Sequence, residues 1–131
     1  MKDKLFLAWF AGLIEGEASI SLIKSETKCF RFDIQLSQTT DGFKDMNFFN
    51  NIRDRFGGSI YPYQRDNGKQ LTKWVVSGRV AERVLLEIMP YIRFRKLEFQ
   101  LKLTEYQKLK KNTKQGRPIK NQNPYFSIEN K

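Results

Sequence analysis

Residues 5–21 read LFLAWFAGLIEGEASIS. At 3.6 residues per turn, residues 5–15 form a helix with Ala8, Ala11, Gly12 and Glu15 on one narrow stripe, and Phe6, Leu7, Phe10, Leu13 and Ile14 opposite. A surface helix is apolar on one side only, and this one has no polar face before Glu15, so it is expected to be buried on both. The bulky face can cover a core, while the small stripe lets another helix backbone come close. Glu15 and Glu17 then flank Gly16 at the helix end. A helix C-terminus carries partial negative charge, so each anion there costs roughly 0.3–1 kcal/mol. A divalent cation is the natural offset.

Downstream of Gly16 the apolar period changes from helical to two. Ala18, Ile20 and Leu22 point one way and Ser19, Ser21 and Ile23 the other, a half-buried strand. After a polar turn, Phe30, Phe32, Ile34 and Leu36 alternate with Arg31, Asp33, Gln35 and Ser37, a second strand that closes a hairpin. Thr39, Thr40 or Asp41 can cap a second helix whose core stripe is Phe43, Met46, Phe49, Ile52 or Arg53, and Phe56. Gly57 and Gly58 stop it. Residues 60–63 form a short strand, with Pro62 marking an edge position. Asn67-Gly68 is a strong turn signal, and residues 73–77 return with Trp74 and Val76 inside. A third helix covers residues 79–89, with Val80, Val84, Leu85 and Ile88 buried, and Pro90 ends it. A fourth covers residues 94–109 and carries Leu97, Leu101 and Leu103 among many charges.

This order gives an α+β sandwich: four antiparallel strands with helices on one face. The opposite face is left open and carries Ser19, Ser21, Arg31, Asp33, Gln35, Tyr61, Tyr63 and Lys73. The chain has 131 residues, which fits one domain, with a core at about residues 5–109 and a basic loop and tail at 110–131.

Charge points to a polyanion. The net charge is +10, and it is uneven: residues 1–90 hold 13 Lys and Arg against 11 Asp and Glu, whereas residues 91–131 hold 11 against 3. With one cysteine and no histidine, an internal disulfide, Cys/His zinc sites and His-based acid–base chemistry are excluded. Any metal is therefore held by oxygen, which suits Mg²⁺. No apolar run reaches transmembrane length and no signal peptide is visible, so no membrane partner is expected and the chain reads as soluble and intracellular.

Residues 10–18, FAGLIEGEA, resemble the nine-residue motif of the LAGLIDADG homing endonucleases. Ala11, Gly12, Leu13 and Ile14 match it letter for letter. Phe10 replaces a leucine, Gly16 an alanine and Ala18 the final glycine, while Glu15 and Glu17 keep the two carboxylates. The order of elements over about residues 5–105 is also the family's. The resemblance implies an αββαββα fold with a saddle-shaped sheet. It implies site-specific cleavage of both strands of a long, roughly palindromic double-stranded DNA site, leaving short 3′ overhangs. There is no second copy of the motif, so it further implies a homodimer through the motif helix, to which Ala8, Ala11, Gly12 and Glu15 are assigned.

The second acid of the motif maps to Glu17, which with the Gly16 carbonyl would hold Mg²⁺, Mn²⁺ or Ca²⁺ substituting for binding. FDIQLSQTT, residues 32–40, resembles the strand whose glutamine positions the nucleophilic water, which maps to Gln38. PYIRFRK, residues 90–96, resembles the segment that places a basic residue near the scissile phosphate: Arg95, with Lys96 as the close alternative. DNA contacts are assigned to Ser19, Ser21, Ile23, Arg31, Asp33, Gln35, Tyr61, Tyr63, Arg65, Lys69 and Lys73 of the sheet and hairpin, and to Lys114 and Arg117. In this scheme Gln35 reads adenine, Asp33 accepts from cytosine, and arginine reads guanine. The alternative is a catalytically silent relative that binds intron RNA in splicing, or binds DNA without cutting it. Relatives are encoded in organelle introns as well as in bacteria and archaea, so chloroplast, mitochondrion and bacterial cytoplasm are all open locations.

Overall fold

The computed structural model describes residues 2–24, 29–40 and 47–112. Along these residues run α1 (Lys2–Glu17), β1 (Ala18–Lys24), β2 (Phe30–Thr39), α2 (Asn47–Phe56), β3 (Ser59–Gln64), β4 (Gln70–Ser77), α3 (Gly78–Ile88), a 3₁₀ turn (Met89–Tyr91) and α4 (Lys96–Asn112). The strands form one antiparallel sheet in the order β1-β2-β4-β3, so the two hairpins meet where β2 pairs with β4. Pro62 lies on the edge strand β3, where its missing N–H breaks no ladder. The Asn67-Gly68 turn closes β3 onto β4, with Arg65 N–H donating to the Lys69 carbonyl at 2.9 Å. The expected positions Asp41, Phe43 and Met46 of the second helix, and Lys114 and Arg117 of the tail, lie outside the described residues.

Period-two alternation sends Ala18, Ile20, Phe32, Ile34, Leu36, Trp74 and Val76 to one face, where they are buried with Leu7, Phe10, Ala11 and Ile14 of α1, Phe49, Ile52 and Phe56 of α2, and Val84, Leu85 and Ile88 of α3. Of the pair Ile52 and Arg53, Ile52 is the core residue. The centre of this core is aromatic: Phe10 stacks on Phe56 with ring centroids 4.9 Å apart and meets Trp74 edge-on at 5.6 Å. On α4 the buried residues are Phe99, Leu103 and Tyr106, leaving Leu97 and Leu101 exposed.

One expectation about α1 needs correction. Ala11 and Glu15 do not lie on the outer face with Ala8 and Gly12: Ala11 is fully buried and Glu15 is 5% exposed, both turned into their own chain. The open side is Leu5, Ala8, Trp9, Gly12 and Gly16. A helix apolar all round leaves its rotation about the axis undetermined by its own pattern, and the packing of α1 against α3 and the 3₁₀ turn sets it. In the single chain the core covers one side of α1, and the other is the side expected to meet a second helix.

Gly58 shows how tightly α2 is joined to the sheet. It sits at φ +101°, and a Cβ there would come within 2.7 Å of the Val75 carbonyl oxygen and 2.8 Å of the Trp74 indole nitrogen. That indole donates to the Gly57 carbonyl at 2.9 Å. Gly58→Ala is therefore expected to destabilise the chain by about 2–4 kcal/mol, measured by urea unfolding. Gly57, at φ +88° with open space around it, loses only the backbone part on the same change.

Candidate functional site

α1 ends where β1 begins, so the helix C-terminus is fixed against the sheet end. Glu17, the last residue of α1, is exposed there. The register of β2 brings Gln38 alongside: its amide donates to Glu17 Oε1 at 3.4 Å and to the Ser37 carbonyl at 2.9 Å. Two side chains 21 residues apart in sequence thus meet at one exposed helix end.

Arg95 reaches the same helix end by a different route. Its Nη1 donates to the carbonyls of Glu15 and Ala18, both at 3.0 Å, and more distantly to Ile14. These carbonyls lie on either side of Gly16, whose own carbonyl is not among those it takes. The fork is held by Glu98, with Nε to Oε1 at 2.9 Å and Nη2 to Oε2 at 2.8 Å, and the guanidinium lies 4.8 Å over the Phe99 ring. This is a positive charge placed on the C-terminal dipole of α1. Arg95 is consumed in holding the backbone that carries Glu17. Lys96, first residue of α4, is exposed, and among the described residues no ion pair engages its ammonium.

Glu15 does not face outward for a partner. Its carboxylate accepts the backbone N–H groups of Arg93 at 3.0 Å, Phe94 at 2.7 Å and Arg95 at 2.8 Å, just ahead of α4. Burial by itself would push this carboxyl up, but the three N–H donors and the Arg95 charge outweigh it and hold it below its ordinary value. Glu98 is held down to about 2, chiefly by the Arg95 fork. Sequence reasoning missed Glu98, although its i,i+3 spacing from Arg95 at a helix start was a usable signal.

Both carboxyls are depressed in the folded chain, so their stabilising effect is complete above about pH 4.5 and is lost as pH falls below it, for Glu98 on the way down to about 2. Glu98→Gln is expected to flatten the dependence of the unfolding midpoint on pH across that window. The effect is damped by solvent, because the Glu98 side chain is 40% exposed.

The sheet face opposite the helices carries cross-strand rows. These are Ile23–Arg31, Ser21–Asp33–Ser77, Ser19–Gln35–Val75–Ser59, Ser37–Lys73–Tyr61 and Thr39–Leu71–Tyr63. Ser19, Ile23, Arg31 and Tyr61 are exposed, and Ser21, Gln35, Tyr63 and Lys73 are half-buried. The Lys73 ammonium lies 5.7 Å from the Tyr63 ring centre. Arg65 and Lys69 are exposed on the hairpin turn. Asp33 is a correction: it is fully buried and already accepts from Arg31 and Ser77, so it is not placed to accept from a base.

The chain belongs to the LAGLIDADG endonuclease family, whose model matches residues 10–113. Comparison with curated protein sequences returns no significant match. Among solved structures, the homing endonuclease I-CvuI in complex with its target in the presence of Ca is similar, with TM-score 0.66 and 23% identity over 86% of this chain and 72% of that one. The LAGLIDADG meganuclease I-CpaMI bound to uncleaved DNA gives 0.64 and 14%, over 87% of this chain and 39% of that one. The homing endonuclease I-GzeII in complex with a DNA target gives 0.61 and 18%, over 90% and 44%. At these identities the likeness shows the shared fold.

Proposed function

We propose that this chain is a divalent-metal-dependent, site-specific DNA endonuclease that acts as a homodimer through the open side of α1. The observation that carries this reading is the pairing of Glu17 with Gln38 at an exposed helix end. The stripe leading to that end is small and apolar: Ala8, Gly12 and Gly16, bordered by Leu5 at 66% and Trp9 at 50% exposure. A self-complementary stripe meets its own copy about a two-fold axis, which brings two Glu17 side chains together. The length comparison supports this. Neighbours of which this chain covers about 40% leave room for a second such unit within one chain. The DNA in these neighbours, and the Ca or Mg in the I-CvuI crystals, support the substrate and the cation class.

The donor set fits a hard cation. Among the described residues no group of three His, Cys, Asp or Glu could hold a metal within one chain; in the dimer proposed here a second copy would supply the further donors. Glu17 and the Gly16 carbonyl of each subunit would hold the ion. When bound, it stabilises charge on the phosphate and lowers the pKa of water. The Gln38 amide orients the attacking water against Glu17. Lys96 stabilises the charge that develops on the phosphate, a role to which its exposed ammonium is better suited than the engaged Arg95. Arg95 and Glu15 fix the helix end and the start of α4 relative to each other, so that the Glu17, Gln38 and Lys96 side chains keep one geometry. The open sheet rows supply donors and acceptors to the major groove, and the basic C-terminal residues hold phosphates.

The test is cleavage. A duplex selected by the chain from a randomised library is placed in a supercoiled plasmid and incubated with Mg²⁺. Linear product with short 3′ overhangs is expected. Tight binding to that duplex with the plasmid left intact under Mg²⁺ and Mn²⁺ would overturn the nuclease reading. It would leave the silent, RNA-splicing or DNA-binding relative in its place.

A further inference from the structure

Arg95, Glu98, Lys102 and Glu105 recur at spacings of three, four and three, which places them on one face of α4 and its approach, with charges alternating in sign. That face lies along β1, an edge strand of the sheet. Carbonyls on the outer side of such a strand have no ladder partner. Here two of them are taken by cations from α4. Arg95 Nη1 donates to the Ala18 carbonyl at 3.0 Å, and Lys102 Nζ donates to the Ile20 carbonyl at 2.6 Å. Glu98 serves both cations. It accepts the Arg95 fork at 2.9 and 2.8 Å, and the Lys102 ammonium lies 3.5 Å from the same Oε2 that accepts Nη2. One turn further along, Glu105 pairs with Lys24 at the end of β1.

One carboxylate thus holds two cations on alternate carbonyls of the strand that follows Glu17 directly. A carboxylate that accepts both N–H groups of a guanidinium fork fixes its plane and direction. Two cations drawn to neighbouring carbonyls also repel each other, and the charge of Glu98 offsets this. The side chains of Lys102 and Glu98 are 38% and 40% exposed, so solvent screens the pair and its effect on stability is small. What it defines is position. Arg95 also takes the Glu15 carbonyl just ahead of Gly16 and Glu17, and Lys96 is its neighbour in the chain. The path from the Lys96 ammonium to the Glu17 carboxylate therefore runs through this clamp.

We propose that Glu98 is a positioning residue for cleavage: by keeping Arg95 and Lys102 on the edge of β1, it sets the separation of Glu17 and Lys96 across the scissile phosphate. This rests on the nuclease reading given above. The experiment uses the full chain, the duplex selected from a randomised library, and Mg²⁺. At saturating enzyme, Glu98→Gln should cut roughly ten- to a hundredfold more slowly than wild type, the loss expected when reacting groups shift by about 1 Å. Its affinity for the duplex under Ca²⁺ should stay within a few-fold of wild type. Lys102→Met should slow cutting in the same way but less, again with affinity kept. Lys102→Arg, which can reach the same carbonyl, should keep the wild-type rate.

Should Glu98→Gln fail to fold, Lys102→Met set against Lys102→Arg carries the same comparison. Rate and affinity falling together, in step with the folded fraction, would make the clamp a matter of stability alone and overturn the proposal. So would an unslowed Glu98→Gln, or an unslowed Lys102→Met in its place. A wild type that binds the duplex and leaves it uncut removes the nuclease reading, and this role with it. A wild type that cuts beside a Glu98→Gln that cuts equally well removes only the role given to Glu98.

Discussion

Glu17→Gln is expected to abolish cleavage of both strands while leaving DNA affinity within a few-fold of wild type. The side chain is exposed at the end of α1 and bears on no core contact, so the unfolding midpoint should not move. Glutamine keeps the shape and removes the charge. A hard cation held by oxygen donors at a helix end depends on that charge, and removal of one preorganised electrostatic group typically costs 10²–10³ in rate. Because each subunit would contribute the same acid, the substitution removes both together, and a loss of roughly 10³-fold or more is expected. The measurement is single-turnover cleavage of the selected duplex under Mg²⁺, beside a binding isotherm under Ca²⁺. Retention of wild-type cleavage would remove Glu17 from the chemistry. Loss of binding and cleavage together would point to an architectural role.

The second large effect concerns assembly. Gly12 is exposed on the outer stripe of α1, and a Cβ built there meets nothing within 4 Å in the single chain. Gly12→Leu should therefore leave the protomer folded. In a two-fold pair of helices both copies gain the bulk at the place of closest approach, so the dimer should weaken by at least about a hundredfold. Sedimentation should then report the mass of one 15.5 kDa chain instead of two, with cleavage lost and non-specific DNA binding retained. Ala11→Leu provides the contrast. Ala11 is fully buried in its own chain, so added bulk there should destabilise the protomer by about 1–3 kcal/mol through overpacking. If Ala11→Leu separated the dimer while Gly12→Leu did not, the face assigned to the partner would be the wrong one.

These two substitutions mark the boundary of what periodicity can reveal. The strand patterns were legible because a half-buried strand writes its two faces alternately. Phe32, Ile34 and Leu36 fall inside while Arg31 and Gln35 fall outside, with no knowledge of the partner strand needed. Asp33 obeyed the alternation and still came out buried, since its register partner Ser77 and its neighbour Arg31 cover it. Alternation assigns a side, but coverage depends on long-range partners. Over residues 5–14 of α1 every position could join a core, so nothing in that stretch itself chose between Ala11 and Gly12 as the outward residue.

The basic residues after Pro90 show the same division. Sequence placed a cation at Arg95 or Lys96 but could not tell which was available. Choosing requires knowing that the Arg95 guanidinium lies against the carbonyls of Glu15 and Ala18, 77 and more residues away along the chain, and within reach of Glu98. By itself the sequence determined the order of elements, the sheet face left open, the turn at Asn67-Gly68, and the two acids at the end of the first helix. Each of these is a local matter of spacing and residue type. Tertiary structure alone decided the rotation of that helix, the inward role of Glu15, the burial of Asp33, and the adjacency of Glu17 and Gln38. Each of these depends on which distant backbone arrives beside a side chain, and no repeat within a single element encodes it.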